Sequence, residues 1–103
     1  MTMENEAKRK LDFLKRIGEE TIKEKLNISY ASKSPIFIHD SFMVLTLVES
    51  EYVSKADIAE YFGIEESEVE SFMFYAEDFV TYYKSFRNIY NEIKNRFDKE
   101  YGK

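Results

Sequence analysis

At 103 residues the chain has the length of one domain, and a helical domain of that size buries a core without cross-links. Three glycines and one proline argue against the many turns of a β-sandwich or barrel, zero cysteines exclude disulfides, thiolate metal sites and cysteine nucleophiles, and a single histidine excludes sites that need two imidazoles. The net charge of −5 is uneven: residues 1–27 carry +1, 28–53 carry −2, 54–80 carry −7 and 81–103 carry +3, so an acidic middle lies between mixed or mildly basic ends.

Residues 3–27 read as an amphipathic helix, with Ala7, Leu11, Leu14, Ile17, Ile22 and Leu26 at helical spacing. Glu4–Lys8, Glu6–Lys10, Asp12–Arg16 and Glu19–Lys23 are spaced i,i+4 with the acid first, the favourable orientation. Gly18 weakens the helix interior and marks a close crossing with another helix. Residues 28–40 form a connection that gathers Ser, Asn and the one proline, and Ile36-Phe37-Ile38 reads either as a short strand or as an apolar plug. Asp40 or Ser41 then caps a helix through Phe42, Val44, Leu45 and Val48 that is apolar nearly all round, as a central buried helix should be. Its run from Phe42 to Leu47, with Thr46 inside, is the longest apolar stretch at six residues, far below a membrane span. No signal peptide precedes it, so a cytoplasmic protein is expected.

Tyr52-Val53-Ser54 reads as a brief extended link, and Ser54 three residues before Asp57 is close to a capping box. A short helix over 55–62 stops at Gly63, and the next begins near Glu66 or Ser67. Its apolar positions run 69, 72, 73, 76, 79, 80 and 83, followed by a second series, Phe86, Ile89, Tyr90, Ile93, Phe97 and Tyr101, displaced by one step. A kink or break near Tyr82–Ser85 accounts for the step; a short strand over Phe79–Tyr83 is the alternative. Phe74, Tyr75 and Tyr82 fall off the main stripe, which suggests packing on the N-terminal helix or on a second subunit through the terminal helices.

Within residues 55–74, KADIAEYFGIEESEVESFMF, a small residue (Ala59) and a glycine (Gly63) stand among apolar Ile58, Phe62, Ile64, Val69 and Phe72. Ala59 lets two helices approach, Gly63 supplies a positive φ in the turn, and the apolar set seals the corner. This segment resembles the helix-turn-helix of transcription regulators, and with the preceding helix it looks like the front half of a winged-helix domain. The resemblance implies a second helix that enters the major groove with its N-terminal residues on base edges. Those places hold Glu65, Glu66, Ser67, Glu68, Glu70 and Ser71, with no Arg, Lys, Asn or Gln to read bases, and no hairpin with a basic tip follows. The acids also suit a helix N-terminus as solvated, dipole-matched groups.

His39 beside Asp40 reads as a capping or solvent-facing pair, the glutamates match no calcium loop, and no phosphate-cradling glycine loop is present. The expected fold is all-α, a single domain over 1–103 with an N-terminal helix at 1–27, a three-helix core at 41–80 and a C-terminal helix at 81–103, with one or two very short strands at most. The expected function is that of a non-enzymatic regulatory interaction protein without cofactor or metal. Its acidic face (Glu65, Glu66, Glu68, Glu70, Ser71, Phe74) engages a protein partner and competes for a nucleic-acid-binding surface. The alternative is a dimeric DNA-binding regulator whose terminal and flanking bases, Lys55, Lys84, Arg87 and Lys94, contact phosphates.

Overall fold

A computed structural model describes residues 5–26 and 35–101, in five helices: α1 (Asn5–Leu26), α2 (Pro35–Glu49), α3 (Lys55–Phe62), α4 (Glu66–Tyr82) and α5 (Lys84–Glu100). The fold is all-α, with no strand among the described residues and no helix there long and apolar enough to cross a membrane. Most of the expected connection, residues 28–34, lies outside the described residues.

The start of α2 corrects the sequence reading. The helix spans Pro35–Glu49, so Ile36-Phe37-Ile38 are helical and not a strand, and Asp40 and Ser41 lie inside it rather than capping it. A proline has no N–H to lose in a first turn and its fixed φ suits that position, so the residue taken as a loop marker opens the helix.

Burial around α2 organises the rest. Val44, Leu45 and Val48 are buried, Leu47 and Ser41 with them, and the helix packs on α1, α4 and α5. One cluster joins Leu14, Ile17 and Ile22 of α1, these α2 residues, Ala76 of α4 and the stripe Phe86, Ile89, Ile93 and Phe97 of α5. A second joins Ala7 and Leu11 of α1 to Val53, Ile58, Ala59 and Val69, which seats α3 and the start of α4 on the same long helix. The buried Thr21 hydroxyl donates to the Ile17 carbonyl at 2.7 Å, so it adds no unmet polar group. Terminal helices α1 and α5 cover one another, with Phe13 5.9 Å from Phe97 edge to face and Arg96 2.8 Å from Glu24. Their apolar stripes are therefore buried within one chain, with no second subunit required for it.

Local signals set the joints. Ser54 caps α3, accepting from the Asp57 N–H at 3.2 Å. At its end Gly63 takes φ 68° and donates to Glu60, while Ile64 donates to Ala59, the bond pair of a Schellman motif. Between α4 and α5 a single extended residue, Tyr83, breaks the helix, and no strand forms there. Phe79 and Phe86 stack across this joint at 5.2 Å. Gly18 is the crossing point of α1 and α2: a methyl group there would stand 2.5 Å from Leu45 Cδ1.

Two glycine substitutions separate these effects. Gly18→Ala is expected to change stability by about 1 kcal/mol or less, because the Leu45 methyls it meets are the free end of a flexible side chain, and the cost of shifting them offsets the roughly 1 kcal/mol that alanine normally gains in a helix. Gly63→Ala meets no atom within 4 Å and carries only the left-handed backbone cost of about 1–2 kcal/mol. Urea unfolding followed by far-ultraviolet circular dichroism measures both.

Candidate functional site

Helix α4 turns Val69 and Ala76 fully inward, with Phe72, Met73, Phe79 and Val80 half-buried beside them. Its other positions are exposed, and Glu66, Glu70, Ser71, Phe74, Tyr75, Glu77, Asp78 and Tyr82 lie there. Phe74 is 66% exposed and Tyr82 74%, values unusual for large rings without a covering surface. The helix contains no basic residue.

All four glutamates singled out from the sequence point to solvent, together with Ser71 and Phe74. Two also have local roles. The Glu68 carboxylate accepts the Glu65 N–H at 3.2 Å, closing the helix start, and Glu70 Oε2 lies 2.8 Å from Lys55 Nζ. That pair keeps Lys55 protonated above its ordinary range, the hydrogen bond to Glu70 being the main cause. Glu65 and Glu66 complete an acidic crown at a helix N-terminus, where the macrodipole favours negative charge.

The basic residues expected to meet phosphates are placed differently from one another. Lys55 is held by Glu70. Lys94 is 2.9 Å from Glu51 and 5.3 Å from the Tyr90 ring centre. Arg87 reaches back to the end of α4, where Nε donates to the Val80 carbonyl at 3.0 Å and a terminal nitrogen to the Thr81 carbonyl at 2.8 Å. It thereby satisfies carbonyls that the end of a helix leaves open. Lys84 is exposed and has no ion pair among the described residues. His39 Nδ1 stands 3.6 Å from Asp40 Oδ1 on the solvent side of α2.

Behind the α3–α4 corner lies a feature that sequence reasoning passed over. A cavity of about 370 Å³ has Phe42, Leu45, Ile58, Phe62, Ile64 and Phe72 in its walls, and Lys15, Glu19 and His39 also line it. Glu49, the last residue of α2, borders it, is completely buried, and has no hydrogen-bond partner among the described residues on either carboxyl oxygen. Loss of hydration raises its pKa from 4.5 to about 8, so the carboxyl is protonated at neutral pH. Nearby Tyr61 is pushed up to about 12 by its own burial, by the hydrogen bond it donates to Asp12, and in smaller part by Glu49. The signal for Glu49 was present in the sequence: it is the one acid that directly continues the nearly all-apolar face of residues 42–48.

No family model, curated protein or solved structure matches the chain, and the chemistry of these two regions carries the functional reading.

Because the folded pKa of Glu49 lies above the unfolded value, the native state keeps a proton that the unfolded chain releases between about pH 4.5 and 8. Its contribution is therefore most favourable at low pH and declines through that window, by several kcal/mol at its upper end. Glu49→Met, similar in volume, is expected to gain stability over the native chain progressively from about pH 4.5 to 8, as measured by melting temperature across pH. Arg87→Ala should lose roughly 0.5–1.5 kcal/mol through the uncapped α4 carbonyls, and Lys84→Ala should stay within about 0.5 kcal/mol of the native chain in urea unfolding.

Proposed function

We propose that the chain is a non-enzymatic regulatory interaction protein in which α3 and α4 form a helix-turn-helix scaffold and the outward face of α4 meets a protein partner. The observation that carries this reading is the make-up of that face: exposed carboxylates and exposed aromatic rings, with no base anywhere on the helix. In a DNA-reading helix-turn-helix this helix lies among phosphates, where Glu65, Glu66, Glu68 and Glu70 are repelled. Phe74, Tyr75 and Tyr82 are of the residue types that anchor protein interfaces. Basic groups with an apolar patch between them complement such a face, and a nucleic-acid-binding protein carries such a surface. Binding there excludes nucleic acid by competition.

The alternative, DNA binding through Lys55, Lys84, Arg87 and Lys94, draws less support, since three of the four are engaged within the chain. Fluorescence anisotropy separates the readings. A short DNA duplex is expected not to saturate with the chain at physiological salt, whereas a basic amphipathic peptide with leucine anchors binds and weakens as salt rises. Phe74→Ala and the pair Glu66→Lys, Glu70→Lys should each weaken the peptide about tenfold or more. Saturable, salt-sensitive duplex binding with no peptide binding would reverse the assignment.

A further inference from the structure

The cavity among α1, α2, α3 and α4 contains a group for which the packing of the fold has no use. Glu49 is fully buried, and both of its oxygens lack a hydrogen-bond partner among the described residues. A buried acid without a donor destabilises a fold, while an apolar side chain of the same volume fills the space without that cost. The rest of the wall narrows what could satisfy it. Three phenyl rings, Phe42, Phe62 and Phe72, share the cavity with Glu49. Ring faces attract a cation and disfavour an anion, and a carboxylate out of water pairs strongly with an ammonium group. At about 370 Å³ the space falls at the small end of ligand cavities, on the scale of one ring with a short chain.

We propose that this cavity is a binding site for a small organic amine, its apolar body among the rings and its ammonium group on the Glu49 carboxylate. The space is open to solvent on the side of Phe42 and Phe62, 40% and 41% exposed, while the Glu49 carboxyl itself is covered, so the side chains over it must shift for the ammonium group to reach it. Among the titratable and charged groups around the carboxyl, Glu19 assists an incoming cation and Lys15 opposes it, His39 lies at the rim, and Tyr61 lies neutral within electrostatic reach. Selectivity therefore falls to Glu49. The amine arrives already carrying its proton, so forming the ion pair sends the Glu49 proton to solvent. The site is independent of what the α4 face binds.

Calorimetric titration of the full chain with phenethylamine at neutral pH tests it, in two buffers of different ionisation enthalpy and against phenethyl alcohol and phenylpropionate as neutral and anionic counterparts. The expected result is one-to-one amine binding, about tenfold or more tighter than either counterpart, with proton release close to one per amine. Glu49→Gln should abolish both the preference and the release. Thr46→Phe keeps the carboxyl and places a ring in the cavity, and it should lose binding of the amine. It also decides the matter if the Gln variant fails to fold. Absence of saturable amine binding, equal binding of the alcohol or the acid, or a preference that survives in Glu49→Gln or in Thr46→Phe would overturn the proposal.

Discussion

Enclosure of α2 by three neighbouring helices is the constraint from which the arrangement of this chain follows. An amphipathic helix needs one neighbour, but a helix with Val44, Leu45, Leu47 and Val48 spread around its circumference exposes apolar surface until several neighbours enclose it. Here α1, α4 and α5 do so. The closeness of the α1 crossing depends on the missing side chain at Gly18, because Leu45 occupies the space a methyl group would take. The corner formed by α3 and α4 is then fixed from beneath by Leu11, Ile58, Ala59 and Val69, which leaves the far side of α4 for solvent or a partner.

The same enclosure carries Glu49 indoors. It ends a helix whose Val44, Leu45, Leu47 and Val48 are drawn into the core by their own hydration cost, and it follows Val48 on that buried side. Two electrostatic regimes thus lie on either side of one corner. On the outer side, carboxylates are hydrated, ionised and partly matched by a helix dipole or a lysine. On the inner side, a single carboxyl is protonated because no cation or donor has followed it out of water. The first suits recognition over a surface and the second suits recognition of one small cationic group.

Much of this architecture was legible in the residues. The bounds of α3, the stop at Gly63, the start of α4 at Glu66, the break near Tyr83 and the tight crossing at Gly18 each rest on a short-range signal that tertiary contacts do not override. The outward glutamates were legible too, since they occupy the outward positions at the start of the second helix in the motif that residues 55–74 resemble. The start of α2 was missed because proline is ambiguous: it ends some helices and opens others, and only its neighbours decide. The internal engagement of Lys55, Arg87 and Lys94 was also out of reach. Lys55–Glu70 and Lys94–Glu51 join elements that the sequence separates, Arg87 turns back onto main-chain carbonyls, and charge counts along a chain carry no information about either kind of contact. Glu49 shows the converse, a residue whose local context was informative but whose consequence appears only once α1 and α3 close over it.

The one-residue break at Tyr83 has a geometric consequence. Each residue added to a helix turns it by roughly 100°, so the length of this joint sets which side of α5 meets the core. Phe86, Ile89, Ile93 and Phe97 face inward only because a single extended residue separates the two helices. The side chain at 83 is itself largely exposed, touching the core only through the edge of Phe86, and its identity is less constrained than its backbone. The spacing is fixed: one insertion or deletion would swing the whole α5 stripe out of register, so across evolutionary time the elbow should accept new letters and refuse new lengths.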